Sequence, residues 1–336
     1  MKLSDFSYDL PKEHIAQEPI EKRDLARLMV VDRAAGDISC GVFRDISGRF
    51  NEGDCMVFND TRVIPARILG NRKTGGKVEI FLLDTSREIS KALVKPSKKI
   101  KEGEMVVLED GSEAEILGKD GSARHVKFNK PLEEILRSGH VPLPPYIERA
   151  DTQADKELYQ TVYARNEGAT AAPTAGLHFT EGLIKELADK GVQPVYVTLH
   201  TGYGTFAPVK EEAIENHKMH SEYYKITEDA ASAINTAKHR GKRVICVGTT
   251  SARVVESVSN GGGEVTAGSG YTDIFIYPGY RFKTMDSLIT NFHLPCSTLV
   301  MLASAFAGKE LLFRAYELAI DRKFRFFSYG DAMLVI

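Results

Sequence analysis

The hydrophobic period of this chain changes twice along its length, and that change decides which folds are open to it. From about Asp54 to Lys130, short β-prone runs alternate with turn signals. Val78-Glu79-Ile80-Phe81-Leu82-Leu83 follows Thr74-Gly75-Gly76, and Met105-Val106-Val107-Leu108 runs into Asp110-Gly111. Ala114-Glu115-Ile116-Leu117 then runs into Asp120-Gly121, and His125-Val126-Lys127-Phe128 follows. Two Asp-Gly turns between such runs predict an antiparallel meander. Short strands at this spacing close into a small barrel or sandwich.

After about Asp151 the texture becomes that of alternating helices and strands. Thr180 to Lys190 reads as an amphipathic helix with Thr180 as N-cap and Gly191 past its end. Val192 to Leu199 follows as a strand, Thr227 caps an alanine-rich helix ending at Gly241, and Arg243 to Gly248 reads as a buried strand. Thr249-Thr250-Ser251 opens another helix, Thr272 to Tyr277 is expected as a strand, and Ser297–Ala307 and Glu310–Lys323 as helices. This alternation predicts an α/β sheet covered on both faces. The first sixty residues, with Arg27 to Asp32 as a strand, match that texture better than the meander does. The expected architecture is therefore mixed α/β: residues 1–60 and 151–336 form a discontinuous α/β catalytic domain, and residues 61–150 an inserted small antiparallel β-barrel. The run Val141-Pro142-Leu143-Pro144-Pro145-Tyr146 reads as the stiff exit from the insertion.

Composition narrows the function classes. The 336 residues are 43% hydrophobic and 27% charged, the balance of a globular protein with a real core. The longest apolar run, Leu299 to Phe306, falls far short of the roughly 18 residues a bilayer span needs, and no signal peptide is visible. Cys40, Cys55, Cys246 and Cys296 include no C-x-x-C pair, so reduced and mostly buried thiols in a cytosol are expected. His217 and His220 could share a helix face, but a third ligand is wanting and no metal is expected. Gly261-Gly262-Gly263 reads as a flexible turn, because neither a P-loop lysine nor a dinucleotide fingerprint accompanies it. With no heptad seam or long apolar edge, a monomer is expected.

Four segments have the chemistry of a site. In Val247-Gly248-Thr249-Thr250-Ser251 a buried strand ends in glycine and hydroxyl residues open a helix, which offers N–H groups to a carboxylate or phosphate; an ordinary N-cap explains the same letters. Ala171 to Thr180 presents His178 just before a helix, and Leu199-His200-Thr201-Gly202-Tyr203-Gly204-Thr205-Phe206 repeats the theme after a strand. Histidines on glycine-bearing turns suit proton transfer near neutral pH, although they could equally brace loops. In Thr290-Asn291-Phe292-His293-Leu294-Pro295, Asn291 and His293 could read a purine edge or merely mark a helix entry.

Nucleic-acid signals are local. The whole chain has 44 basic and 46 acidic residues, yet residues 62–149 hold 17 Lys/Arg against 13 Asp/Glu. Lys91, Lys95, Lys98, Lys99 and Lys101 fall in eleven residues without an acid, and Lys238 to Arg243 and Arg322 to Phe327 are further basic clusters. Such clusters can neutralise phosphates, though most are simply solvated surface.

The motifs in order resemble the S-adenosylmethionine:tRNA ribosyltransferase-isomerase family of the queuosine pathway. They include Tyr8-Asp9-Leu10-Pro11, Phe58-Asn59-Asp60-Thr61-Arg62-Val63-Ile64-Pro65-Ala66-Arg67, Gly139 to Ile147, Tyr159 to Ala164, Ala171 to Thr180 and Gly204-Thr205-Phe206. Val247 to Ser251, Phe275 to Tyr280, Thr290 to Pro295 and Phe326 to Met333 complete the series. The absence of Trp is a departure, since many members carry one before Leu93 and near Tyr271. The resemblance implies a cytoplasmic enzyme that moves the ribosyl part of S-adenosylmethionine onto the aminomethyl group of 7-aminomethyl-7-deazaguanine at the tRNA wobble position. Adenine and methionine leave, epoxyqueuosine results, and no cofactor is expected because S-adenosylmethionine is a consumed cosubstrate. On this reading His178 or His200 transfers protons. Gly248, Thr249 and Thr250 hold the methionine carboxylate, and Asn291 and His293 face adenine. Asp60, Arg62 and Arg67 at the hinge, with Lys95 and Lys98 on the insertion, contact tRNA. Two rivals stand beside it: a methyltransferase using the same cosubstrate, disfavoured by the lack of a glycine-rich first turn, and a non-catalytic RNA-binding protein, which leaves the histidine turns without a purpose.

Overall fold

The computed structural model describes residues 1–84, 89–202, 204 and 209–336. In chain order the strands outside the barrel are β1 (Arg27–Asp32), β2 (Asp37–Val42), β3 (Cys55–Asn59) and β4 (Thr61–Val63). The barrel strands are β5 (Arg67–Arg72), β6 (Lys77–Asp84), β7 (Ile89–Lys95), β8 (Glu104–Leu108), β9 (Glu113–Asp120) and β10 (Ala123–Phe128). Then come β11 (Asn166–Ala169), β12 (Gln193–Leu199), β13 (Glu222–Ile226), β14 (Val244–Val247), β15 (Gly268–Thr272), β16 (Ser287–Asn291) and β17 (Ala332–Val335). The α-helices are α1 (Leu132–Ser138), α2 (Asp155–Leu158), α3 (Glu181–Asp189), α4 (Glu228–His239), α5 (Gly248–Val258), α6 (Thr298–Ala307) and α7 (Lys309–Asp321).

Among the described residues, nine strands form one mixed sheet in the order β15-β13-β12-β3-β14-β16-β17-β1-β2. Its centre is parallel, with Val195 opposite Val57, Cys246 opposite Val57 and Val247 opposite Ile289. The flanking pairs β12–β13, β13–β15, β16–β17 and β1–β2 are antiparallel. Central strands read as unbroken apolar runs because both their faces are covered. Cys55, Val57, Val244 and Cys246 face a core with Ile234, Ala252, Leu302 and Leu312 of the helices on one side. Met56, Phe58, Ile245 and Val247 face Phe43, Ile46, Leu183 and Leu187 on the other. Cys55 and Cys246 thus behave as small hydrophobes; Cys40 is exposed, and all four thiols are free.

The six barrel strands close in the order β10-β7-β6-β5-β8-β9. Gly111 and Gly121 take φ of +80° and +61° in the two Asp-Gly turns, a region other residues enter at a cost. Val78, Ile80, Leu82, Val94, Val106 and Ile116 fill the interior, joined by Ile135 of α1. A short parallel pair, β4 with β11, lies where the chain enters the barrel.

The helix caps lie where the hydroxyls predict, since Thr180, Thr227 and Ser297 accept from Leu183 N, Ala230 N and Val300 N. One strand is displaced. Regular pairing covers Gly268–Thr272, not Thr272 to Tyr277, because the partner strand β13 supplies a ladder to the glycine-rich segment. The aromatic residues beyond it pack instead: Phe275 meets His217 and Tyr277 at ring distances of 5.4 and 4.9 Å.

Candidate active site

The register puts the C-terminal ends of β12, β3, β14 and β16 on one edge, together with the start of β17, which runs antiparallel to β16. That edge is where open α/β sheets collect ligands. A cleft lies there, lined by Gly248, Thr249 and Thr250 after β14 and by Thr290, Asn291 and His293 at the end of β16. Ala171 to Ala175, Thr201, Tyr146, Phe327 and Ser328 complete its walls.

Gly248 takes φ +86° at the first residue of α5, turning the chain sharply from strand to helix. Ser251 Oγ donates back to Val247 O at 2.8 Å, so that hydroxyl is spent inside the helix. Thr250 Oγ1 and, across the cleft, Thr201 Oγ1 are buried and have no hydrogen-bond partner among the described residues. Buried hydroxyls are normally satisfied, so two orphans lining one cleft beside a helix N-terminus are what a polar ligand would complete.

Asn291 organises the floor. Its Nδ2 donates to Phe327 O and to His178 Nε2, both at 3.1 Å, and its Oδ1 accepts from Thr174 Oγ1 at 2.9 Å. A carbonyl can only accept, so the amino side of Asn291 faces Phe327, and His178 Nε2 must be the acceptor with its proton on Nδ1. His178 is buried behind Asn291 against Phe43, at a ring distance of 5.0 Å, rather than presented at the cleft mouth. Burial, with help from Arg325 and Arg23, pulls its pKa down to about 3. His293 is likewise pulled down to about 3 by burial, with Nε2 2.7 Å from Thr290 Oγ1. Its backbone is clamped by Tyr8 and Tyr316, whose hydroxyls donate to His293 O and accept from His293 N.

His200 stands on the same edge, just past β12. Its Nδ1 lies 2.9 Å from Thr61 Oγ1, and its ring stacks on Tyr223 at 5.5 Å. Burial lowers its pKa while the charge of Asp60 opposes the shift. Asp60 is itself buried: Oδ1 accepts from Thr198 Oγ1 at 2.7 Å and Oδ2 from Asn166 Nδ2 at 3.0 Å. The bend from β3 into β4 turns this carboxylate inward, away from the surface expected for it. Tyr203, Thr205 and Phe206 of the same loop motif lie outside the described residues.

The basic residues lie apart from the cleft. Arg62 is exposed, 3.7 Å from Glu167. Arg67 bonds Glu79 at 2.9 Å and lies 3.7 Å from Asp151, and Lys95 reaches the other oxygen of Glu79 at 3.3 Å. Lys98 is exposed beyond the end of β7. Of the other basic clusters, Lys238 and Arg243 are engaged by Asp286 and Asp54. Among the described residues no three His, Cys, Asp or Glu side chains converge as a metal site requires.

Sequence reasoning missed Tyr146, Thr174 and Thr201 as parts of one site. Tyr146, in the Pro-rich exit, stacks on Phe327 at 4.5 Å and shares a 2.6 Å hydrogen bond with Ser328 Oγ. An aromatic among prolines was the available signal.

Residues 3–335 match the family model described as queuosine biosynthesis protein. A relative from Caldanaerobacter subterraneus subsp. tengcongensis, named S-adenosylmethionine:tRNA ribosyltransferase-isomerase, is 54% identical over 343 residues, covering 100% of both chains. One of the same name from Acetivibrio thermocellus is 55% identical with the same coverage. The crystal structure of an S-adenosylmethionine tRNA ribosyltransferase from Thermotoga maritima is 37% identical, covers 99% of this chain and 100% of its own, and superposes with a TM-score of 0.59. With mixed sheet, closed barrel and full-length similarity in agreement, the chain belongs to the queuosine biosynthesis protein family.

Proposed function

We propose that this chain is an S-adenosylmethionine:tRNA ribosyltransferase-isomerase acting in queuosine biosynthesis. It moves the ribosyl part of S-adenosylmethionine onto the aminomethyl group of 7-aminomethyl-7-deazaguanine at the tRNA wobble position, giving epoxyqueuosine with release of adenine and methionine. The observation that carries this reading is the identity of more than half of all positions to relatives of that name over the entire chain. The cleft supports it independently, for its orphan threonine hydroxyls, amide-rich helix start and Asn291 suit a nucleoside with a charged tail.

In this reading Gly248, Thr249 and Thr250 take the methionine end, and Asn291 and His293 face adenine. The sulfonium acidifies the adjacent 5′-carbon, adenine leaves more readily when protonated, and the acceptor amine must be neutral to attack. His178 or His200 supplies the proton transfers. Arg62, Arg67, Lys95 and Lys98 provide phosphate-binding charge along the barrel side, and Asp60 shapes the hinge from within. The enzyme works in the cytoplasm as a monomer, with no cofactor beyond the consumed cosubstrate. Among the described residues no helix is long and apolar enough to cross a membrane.

The test is chromatography of the small molecules released when the protein meets S-adenosylmethionine and tRNA bearing the aminomethyl-deazaguanine. Adenine and methionine released together, and only with the modified tRNA, are the expected result. Release of S-adenosylhomocysteine would instead make this a methyltransferase.

A further inference from the structure

Arg253 lies on α5, four residues after Thr249, and its side chain is only 6% exposed. Its Nη1 pairs with Glu222 Oε2, and the other oxygen of that carboxylate accepts from Gly202 N at 2.9 Å. Among the described residues, Nε and Nη2 are buried without a partner. These two N–H groups share one edge of the guanidinium, the parallel fork that fits both oxygens of a carboxylate. A buried cation with a whole edge of donors unmet is costly, and nothing in the fold of this helix requires it.

Arg253 lines a second, smaller cavity, with Gly204, Met219, His220, Phe275 and Leu299 among its walls. Leu299 also lines the cleft described above, so the two spaces adjoin across one side chain. Thr249 and Arg253 are four apart and occupy one face of α5, and helical side chains lean toward the N-terminus. Arg253 therefore stands one helical turn beyond Thr249 on the same face of α5, and Thr249 lines the cleft. Glu222 already balances one charge here, so the vacant edge suits a monoanion better than a phosphate.

We propose that the Nε–Nη2 fork of Arg253 binds the α-carboxylate of S-adenosylmethionine, with the nucleoside in the adjoining cleft and the start of α5 between them. The inference rests on the cosubstrate assignment made above. It makes the pair Glu222–Arg253 a carboxylate-recognition device, with Glu222 holding the guanidinium so that the free edge points one way.

The test is equilibrium dialysis of the full chain against S-adenosylmethionine and against its decarboxylated analogue, which keeps the nucleoside and sulfonium but lacks the carboxylate. The wild type is expected to bind the analogue on the order of 10- to 150-fold more weakly, the range of charge-assisted hydrogen bonds. Arg253→Lys keeps a charge but loses the fork, and its discrimination should shrink to a few-fold through weaker binding of S-adenosylmethionine alone. Equal wild-type affinity for the two compounds would overturn the proposal without recourse to any variant. Full discrimination retained by Arg253→Lys would do the same while leaving the cosubstrate assignment intact. A wild type that binds neither compound, with or without tRNA, would instead sink the cosubstrate assignment itself.

Discussion

Replacing Asn291 by alanine removes three hydrogen bonds at once: the buried ones to His178 Nε2 and Phe327 O and the part-buried one from Thr174 Oγ1. At about 1 kcal/mol net for each, the loss is about 3 kcal/mol. For 336 residues the unfolding entropy is about 0.7 kcal/mol per kelvin, so cooperative melting should shift down by about 4 °C. The aspartate variant is more telling. Asn291→Asp cannot donate to His178 Nε2, and it sets a carboxylate beside a ring that burial holds neutral, with a pKa of about 3. A nearby negative charge favours the imidazolium, so His178 should move up toward the working range. The pH profile of kcat/KM for release of adenine should then gain an ionisation between pH 5 and 8 that the wild type lacks. Melting curves and pH–rate profiles of both variants check this. An alanine variant melting within 1 °C of wild type, or an aspartate variant with an unchanged profile, would refute the arrangement of the Asn291 carboxamide.

Gly168 takes φ +146°, and a Cβ there would lie 2.9 Å from the His200 ring, so Gly168→Ala should displace that imidazole and cut turnover on the order of 100-fold; single-turnover rates read it, and an unimpaired rate would dissociate His200 from the chemistry. Asp155 accepts from Arg149 at 2.7 and 2.8 Å, from Thr152 N and Oγ1 and from Tyr329 OH; burial opposes its charge, but these partners hold its pKa down to about 2. That stability is present above the ordinary aspartate value and is lost as pH falls through about 2, so Asp155→Asn should lower the melting temperature at pH 7 by several degrees and narrow the gap to wild type in acid. His140 bridges Asp151 and Glu109, each at 2.9 Å; burial pulls its pKa down, yet the two carboxylates override it and hold it above the ordinary value. The contribution is therefore full below about pH 6.5 and fades as pH rises through the raised value, so His140→Gln should flatten the melting-temperature profile between pH 6 and 9, which differential scanning calorimetry measures.

Strands bounded by an Asp-Gly turn were legible because the turn chemistry is local. β5 and β7 were not, for opposite reasons. Arg67 to Arg72 carries Gly70 and Asn71 at its centre and becomes a strand only because β6 and β8 pair with it. Ile89 to Lys95 hid inside a lysine cluster. Its Ala92 and Val94 point into the barrel while Lys91 and Lys95 alternate outward, so part of the apparent basic patch is the polar face of a strand. Glycine followed by hydroxyls was the local sign of the strand-to-helix turn at Gly248 to Thr250, which lines the cleft. No local signal could join Tyr146, Thr174, Thr201 and Phe327, which meet only through the sheet order. Asp60 shows the converse limit, since an acid two residues before an arginine reads as surface until the fold turns it toward Thr198 and Asn166.

The three histidines of the edge look alike as letters, each beside glycine or near proline, and burial is what separates them. Protonating His178 or His293 at pH 7, against pKa values of about 3, costs about 5 kcal/mol. A group that must accept and return a proton in each turnover bears that cost every cycle, whereas a group that must stay neutral and accept a hydrogen bond benefits from it. His178 meets the second description, with Nε2 committed to Asn291, and His293 does too, with Nε2 shared with Thr290. His200 is only half-buried, and the charge of Asp60 offsets part of its desolvation. Thr61 fixes its Nδ1 and Tyr223 fixes the ring plane, leaving Nε2 on the side covered by Gly168, where the missing side chain lets the ring sit close. Of the two histidines proposed for proton transfer, His200 would therefore do it at the lower energetic cost, and His178 is better suited to holding the Asn291 carboxamide square to the cleft.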